Sequence, residues 1–362
     1  MRVGELNPRE RVLLALDHQP TDRVPVDFLG TDETWANLKQ HLGLADTEAV
    51  YRRLGVDLRH PRMEYVGPPY KRLPDGSYID AWGIQWTPQA YPFGVYYEIG
   101  NHALAHITDA SQLDDYPWPD PAWWRADAIA DYVRQLDAET PYALALEEFG
   151  DPGGFFEISW YLRGMEQFMI DMLVNPDIAH EILRRVTDVY LGRLRSRDGR
   201  ARRPHRPDLD QRRHCAPERP DALPRHLAGA DLPQHERFNR RVHELGARVM
   251  YHSCGSVIKA IPGLIEMGID VLDVIQVSAA DMDPAVIKAR FGDRLAFHGG
   301  VDVQGLLPVV DTPEAVADAV RRLIDILGEG GGYILSPSHN IQADVTPQKI
   351  LAIYNAAGSL TP

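Results

Sequence analysis

The 362-residue sequence predicts an α/β fold and, within that class, a (β/α)8 or TIM-type barrel. In the last third of the chain, short apolar runs typical of buried parallel strands alternate with helical patterns. The length suits one large barrel. No Gly-x-Gly-x-x-Gly turn follows the first strand, which is one reason to favour the barrel over a doubly wound sheet. We therefore predict a single barrel domain over residues 1–362.

The N-terminal half contains the first elements and one excursion. Residues 7–10 (Asn-Pro-Arg-Glu) combine an N-cap, a proline at the first helical position and a capping-box acid, which predicts a helix start. A β-prone run follows at 23–28, and another at 142–146. Residues 65–100 alternate aromatic residues with turn signals, which predicts an antiparallel excursion from the main fold.

The C-terminal third has the clearest alternation of strands and helices. Helical patterns separate the predicted strands, and a last helix is predicted to begin at Thr346-Pro347. The predicted strands are 248–251, 271–275, 295–297 and 333–335. Because a barrel places its active site at the carboxyl ends of its strands, the residues that follow these four runs are the candidates for chemistry.

Charge and cysteine content limit the classes of partner. The net charge of −14 argues against nucleic acids and anionic membranes as partners and leaves a small-molecule substrate. No run approaches the roughly 18 apolar residues that span a bilayer. Two cysteines cannot build a disulfide framework, so we expect a cytoplasmic protein.

A possible metal site lies just after the strand at 248–251. His252 and Cys254 are two positions apart, so in extended chain their side chains point to the same side. One imidazole and one thiolate suit Zn²⁺. His339 follows the last strand in the same way and is a candidate third ligand. The alternatives are a buried cysteine beside a hydrogen-bonded histidine, and a loop histidine bonded to backbone.

Two further strand ends have residues suited to catalysis. In the run from His298 to Asp302, Gly299 and Gly300 let backbone approach a ligand, and Asp302 could accept a proton or orient a histidine. The alternative is a tight turn that needs glycine. Acidic residues also cluster near the end of the strand at 142–146, where some of them could be solvated or cap a helix. They are Glu147, Glu148, Asp151 and Glu157.

Several motifs together resemble the uroporphyrinogen decarboxylase superfamily. They are Asn-Pro-Arg-Glu-Arg-Val-Leu-Leu-Ala-Leu-Asp-His at 7–18, Asp-Arg-Val-Pro at 22–25, Tyr-Leu-Arg-Gly at 161–164, Asn-Pro at 175–176, His-Ser-Cys-Gly at 252–255, His-Gly-Gly-Val-Asp at 298–302 and Gly-Gly-Gly-Tyr-Ile-Leu at 330–335. The resemblance covers nearly the whole chain and implies a (β/α)8 barrel. It also implies one of two chemistries: cofactor-free decarboxylation of porphyrinogens, or zinc-dependent methyl transfer between corrinoid proteins and thiols.

The residues after the first strand favour the methyltransferase branch. Decarboxylases have Arg-Gln-Ala-Gly-Arg there, because a substrate with many carboxylates needs guanidinium groups. Here residues 29–33 read Leu-Gly-Thr-Asp-Glu, and no arginine follows until Arg52. Methyltransferases use His-x-Cys and a later cysteine as zinc ligands, and in this sequence His339 replaces the later cysteine.

The resemblance therefore implies a zinc-dependent methyltransferase that moves a methyl group between a corrinoid carrier and a thiol-type acceptor. Two alternatives stay open: a uroporphyrinogen III decarboxylase of porphyrin and heme biosynthesis, and an inactive relative that binds a tetrapyrrole or corrinoid. A corrinoid protein is the implied protein partner, and a homodimer is common in the family. The assigned residues are Asp302, His298 and Glu147 for catalysis, Asp27, Glu157, Tyr161, Gly299 and Gly300 for substrate binding, and His252, Cys254 and His339 for metal.

One segment, residues 195–222, departs from the rest of the chain. It has nine arginines and four prolines in 28 residues, where the barrel needs a strand. Prolines remove ladder donors and unpaired buried guanidinium groups are very costly, so a buried strand is disrupted here. Read one nucleotide later, degenerate codons for 204–211 permit Arg-Ile-Asp-Leu-Ile-Trp-Thr, a well-formed strand. We therefore favour a frame-shifted translation over a basic loop that binds an acidic partner or a solvated insertion.

Overall fold

The computed structural model describes residues 6–91, 94–146, 154–194 and 232–361, and it shows an α/β fold. The helices of this part of the chain are α1 (Pro8–Leu16), α2 (Asp32–Leu42), α3 (Thr47–Leu54), α4 (Asp127–Asp137), α5 (Phe155–Arg163), α6 (Met165–Val174), α7 (Pro176–Arg193), α8 (Leu232–Glu244), α9 (Ile261–Glu266), α10 (Pro284–Phe291), α11 (Pro313–Leu327) and α12 (Pro347–Ala356). Among these helices, none combines the length and the apolar character that crossing a bilayer requires.

The described strands fall into parallel pairs at the centre and antiparallel pairs outside it. They are β1 (Leu58–Arg59), β2 (Glu64–Tyr65), β3 (Lys71–Arg72), β4 (Tyr78–Ile79), β5 (Gln85–Tyr91), β6 (Gly94–Asn101), β7 (Trp124–Arg125), β8 (Ala143–Leu144), β9 (Met250–His252), β10 (Val271–Ile275), β11 (Ala296–Val301) and β12 (Tyr333–Pro337). The four predicted C-terminal strands thus correspond to β9 through β12.

The central parallel sheet has the order β9, β10, β11, β12. A parallel bridge joins Val26 to Leu335 of β12, and the Asp57 amide donates to the Val26 carbonyl at 2.9 Å just before β1. β1 in turn pairs in parallel with β8. This succession of neighbours is compatible with part of a barrel, but the strand order of the described residues does not close a ring. The eight-stranded barrel stays a prediction.

Sequence-encoded signals explain why these elements form. Asn7 and Glu10 make the predicted capping box, and α1 begins at the predicted Pro8. Every residue of β11 and of β12 is buried, as expected for a parallel sheet that is covered on both faces. The predicted excursion at 65–100 is confirmed, because β3, β4, β5 and β6 form an antiparallel sheet. The suspected disrupted strand at 195–222 lies outside the described residues.

Candidate functional site

The carboxyl ends of three neighbouring strands bring ionisable side chains together. Asp273 of β10 is in register with His252 of β9 on one side and with His298 of β11 on the other. Residues in register on adjacent parallel strands point to the same face of the sheet. The sequence prediction singled out both histidines and missed the aspartate. The one signal for Asp273 was a lone acid inside the apolar run Val-Leu-Asp-Val-Ile.

The Asp273 carboxylate connects the two histidines. Its Oδ2 accepts from Nδ1 of His252 at 2.7 Å, and its Oδ1 accepts from Nδ1 of His298 at 2.6 Å. An ionised carboxylate only accepts hydrogen bonds, so Nδ1 of each histidine carries a proton. His252 therefore directs its other nitrogen, Nε2, away from the aspartate.

The contacts continue from His298 into the interior. Nε2 of His298 is 3.1 Å from Oδ2 of Asp27, and both oxygens of Asp27 lie 2.9 Å from Nε2 of His60. Asp27, predicted to bind substrate, is fully buried, and its carboxylate contacts two imidazoles. His60 was not predicted. With Cys254, these residues form one continuous set, the His-Asp chain: His60, Asp27, His298, Asp273, His252 and Cys254.

The direction of the hydrogen bonds sets the charge of each residue in the His-Asp chain. His298 lies between two carboxylates, so both of its nitrogens donate and the ring is an imidazolium. Burial opposes this charge, but the charges and hydrogen bonds of Asp273 and Asp27 outweigh burial and raise the pKa of His298 to about 9. Burial alone would raise the pKa of both aspartates, yet the neighbouring histidines hold each aspartate pKa well below its usual value.

The His-Asp chain reaches solvent at His252 and Cys254. Nε2 of His252 lies 3.2 Å from Sγ of Cys254, and both residues are exposed. Desolvation by neighbouring residues lowers the pKa of the His252 ring, but hydrogen bonds to Asp273 and Cys254 and the charges of these groups outweigh it and raise the pKa to about 10. The Gly255 amide donates to Oε1 of Gln276 at 2.8 Å, which fixes the loop that carries the cysteine.

The structure brings His252 and Cys254, two of the three residues predicted to bind zinc, into contact. His252 and Cys254 present nitrogen and sulfur side by side, and a carboxylate holds the other ring nitrogen of the histidine, as is usual for zinc-bound histidines. The His339 ring centroid is 6.4 Å from that of His252. Within the described ranges, no group of three or more His, Cys, Asp or Glu side chains is arranged to hold a metal ion. The set of three ligands stays a prediction.

The glycines and Asp302 lie along and just after β11. Gly299 and Gly300 have φ values of 106° and 93°, a region that side chains rarely adopt. The Tyr333 hydroxyl donates to the Gly299 carbonyl at 2.9 Å. Asp302 is buried; its carboxylate accepts from the Gln304 amide at 2.9 Å and lines a cavity of about 280 Å³.

The remaining predicted residues belong to the region after β8. Glu157 is half-buried in the first turn of α5, and Tyr161 lies one turn further along the same helix. The Tyr161 ring packs edge-on against Trp86 at 5.7 Å between centroids. Glu147 lies outside the described residues. The roles assigned to these three residues stay predictions.

Comparisons with known proteins bear on the C-terminal part and on the fold. Residues 224–360 match the family model described as uroporphyrinogen decarboxylase (URO-D). Uroporphyrinogen decarboxylase of Methylococcus capsulatus is 28% identical over 75 residues, which are 21% of this chain and 21% of that protein. The enzyme of Pseudoalteromonas atlantica is 33% identical over 76 residues, 21% of this chain and 20% of that protein. The chain thus spans about a fifth of the length of these curated relatives.

A solved structure extends the likeness in fold over nearly the whole chain. A methyltransferase from Methanosarcina mazei superposes with a TM-score of 0.64 at 15% sequence identity, covering 98% of this chain and 99% of that one. At that identity the likeness concerns the fold alone. The motif at 252–255, the motif at 298–302 and the strands β9–β12 all fall inside the segment that matches the family model. Residues 224–360 of the chain thus match the uroporphyrinogen decarboxylase family, consistent with the resemblance that the motifs carry.

Proposed function

We propose that the protein is a zinc-dependent methyltransferase that moves a methyl group between a corrinoid carrier and a thiol-type acceptor. The observation that carries the proposal is the pair formed by Nε2 of His252 and Sγ of Cys254, 3.2 Å apart at the solvent-exposed end of the His-Asp chain. Nitrogen and thiolate donors at this spacing suit zinc, and a catalytic zinc uses three protein ligands and keeps one position open. His339 would be the third ligand.

Each residue of the pair has a definite task. His252 and Cys254 would hold the zinc, and Asp273 keeps Nδ1 of His252 protonated so that Nε2 is directed toward the cysteine. When bound, zinc supplies Lewis acidity that keeps an acceptor thiol deprotonated at neutral pH. The thiol proton would pass to solvent when the sulfur is held as thiolate, and that sulfur would take the methyl group from the corrinoid carrier, which would keep the electron pair of the broken carbon–cobalt bond.

The test uses the full chain, with methylcobalamin as methyl donor and a panel of small thiols. We expect bound zinc and thiol-dependent demethylation of the cobalamin. H252A and C254A should each lower zinc affinity and demethylation activity. The loss should exceed the roughly 10–100-fold that is typical when a residue hydrogen-bonded to a metal ligand is removed. H243Q is the matched control, because His243 forms a similar pair with Asp270 at the amino ends of β9 and β10, 2.8 Å between Nε2 and Oδ2. A wild-type protein without zinc, or with metal content unchanged in H252A, contradicts the proposal.

Uroporphyrinogen decarboxylation is the second candidate, since the curated relatives with partial matches carry that name. The absence of arginine between residues 29 and 51 speaks against it, because a substrate with several carboxylates needs guanidinium partners. Conversion of uroporphyrinogen to coproporphyrinogen by the purified protein would establish this candidate in place of methyl transfer.

A further inference from the structure

We propose that His298 and Asp27 are positioning residues that act through the Asp273 carboxylate to fix the ring of His252. The inference rests on the proposed function only in taking His252 as the histidine of the reactive pair. His298 and Asp27 are both buried. We therefore expect them to orient His252 and Cys254 rather than to contact substrate. From the sequence alone, His298 is predicted to be catalytic and Asp27 to bind substrate.

The two oxygens of Asp273 couple the buried histidine to the exposed one. Oδ1 accepts from His298 and Oδ2 accepts from His252, at 2.6 and 2.7 Å. A carboxylate is rigid and planar, so a rotation that lengthens one of these bonds also displaces the other. The position of His298 therefore limits the rotation of Asp273, and Asp273 in turn limits the ring of His252.

Asp27 holds the buried end of the His-Asp chain in place through hydrogen bonds to backbone groups and to Tyr354. Its Oδ1 accepts from the Phe28 amide at 2.8 Å, and its Oδ2 faces His298 at 3.1 Å. The Tyr354 hydroxyl donates to the Asp27 carbonyl at 2.7 Å, and the Asp27 amide donates to the Leu335 carbonyl at 2.8 Å. The strands β11 and β12 and the helix α12 thus all contact Asp27 and hold it in place.

If His298 and Asp27 only pack the interior, changing their hydrogen bonds should leave the ring of His252 unaffected. Two variants distinguish this packing role from a positioning role. D27N keeps the volume of the side chain but puts an amide NH₂ where an oxygen accepts. H298N removes at least one of the two bridging bonds. The hydrogen bonds that connect these two residues to His252 run through His298 and Asp273, so an effect of either variant on His252 is expected to pass through Asp273. The control is Y333F, which removes a buried hydrogen bond to Gly299 on the same strand as His298.

The experiment records the hydrogen-bonded ring protons of histidine-labelled full-length protein by NMR. The His252 signal is assigned by its loss in H252Q. We expect a protected downfield His252 ring proton in the wild type, shifted or broadened by D27N and by H298N and unchanged by Y333F. A His252 signal that is the same in D27N, H298N and wild type overturns the inference, and so does a wild type without a protected His252 proton.

Zinc affinity, measured by competition with a chromophoric chelator, gives a second readout. D273N should weaken zinc binding about 10–100-fold, and H298N should weaken it in the wild-type background but not further in the D273N background. Additive losses in the double variant overturn the inference. A wild type that binds no zinc contradicts the proposed function alone, because the NMR comparison still decides the positioning role.

Discussion

At the scale of single residues, the charge on His298 is the most consequential feature of the site. The ring is buried between Asp27 and Asp273 and donates to both. A histidine that donates from both nitrogens must be charged, so the protein keeps a buried cation that the buried Asp27 and the half-buried Asp273 compensate. Removal of any one of these three charges leaves the others uncompensated, which ties the stability of the fold to the protonation of the site.

The raised pKa of His298 predicts a pH dependence of stability. Its folded-state pKa of about 9 lies above the ordinary value of 6.5, so its contribution is complete below about pH 6.5 and is lost as the pH rises through 9. We expect the free energy of unfolding of chelator-treated protein to fall between pH 6.5 and 9.5. Urea denaturation across this range measures it. In H298Q the slope should be shallower, and an unchanged slope contradicts the prediction.

The low pKa of Asp27 and of Asp273 predicts how the stability of the protein falls at acid pH. Their contribution is present above the ordinary pKa of 3.8 and is lost only as the pH falls toward their depressed values. Stability from the His-Asp chain should therefore have its plateau between about pH 4 and pH 6.5. In D273N the acid side of this plateau should flatten in the same urea titration, whereas D318N, a change at an exposed acid, should leave it as in the wild type.

Gly299 gives a residue-scale prediction about the backbone. At φ 106°, a Cβ would lie 2.5 Å from Cγ2 of Val274, so both conformation and space exclude a side chain. We expect G299A to lower the free energy of unfolding by about 3 kcal/mol or more. The control is G43A, where φ is 65° but nothing lies within 4 Å of the added Cβ, with an expected cost of about 1 kcal/mol. Thermal and urea unfolding compare the two variants, and equal costs contradict the steric explanation.

At the scale of elements, a buried ion pair holds the helices that follow β8. Arg163 of α5 donates from Nε to Asp171 of α6 at 2.6 Å, with both side chains almost fully buried. Nη1 of Arg163 also donates to the carbonyls of Leu104 and Ile107, at 2.7 and 2.8 Å. One side chain thus joins two helices to the loop after the antiparallel excursion. Arg163 of the motif at 161–164 has this structural task.

This arrangement predicts a large effect of a single substitution. R163M should lower the free energy of unfolding by about 3–5 kcal/mol, because it leaves the Asp171 carboxylate buried without its cation. R134A is the control, since Arg134 pairs with Asp131 on the exposed surface of α4, and we expect no measurable change there. Urea unfolding at neutral pH measures both variants. A loss in R163M no larger than in R134A would contradict the role of the pair.

At the scale of the whole molecule, residues 195–222 differ in composition from the rest of a chain whose fold superposes on a known one over 98% of its length. The composition of the segment is foreign to a parallel strand. We predict that the coding DNA, read one nucleotide later across this segment, encodes an apolar strand followed by acidic residues. An uninterrupted frame whose shifted reading contains no strand contradicts the hypothesis.

A repaired chain makes the same hypothesis testable in protein. Replacement of residues 195–222 by the shifted translation should raise the melting temperature, because a strand missing from a parallel sheet leaves the backbone groups of its neighbours without partners. Replacement by a Gly/Ser linker of equal length is the control. If the repaired chain and the linker chain melt at the same temperature, the segment is an insertion and the frame-shift hypothesis is wrong.

The amino-acid sequence by itself determined the local elements and the contact between His252 and Cys254. These features depend on residues that lie close together in the chain. They are helix caps such as Asn7, the apolar runs that form β9 to β12, and the contact between His252 and Cys254. These features could be predicted because local backbone geometry sets them. The same holds for the antiparallel excursion, whose turns lie between adjacent strands.

Only the tertiary structure decided how the site is supported. Asp27 and His298 are 271 positions apart, and Asp273 joins two histidines because three strands align in one register. Register depends on the packing of both sheet faces, and a shift of one residue would turn Asp273 to the opposite face. The roles of Asp27 and His298 could not be read from sequence for the same reason. Their burial and their partners come from strands that meet only when the chain has folded.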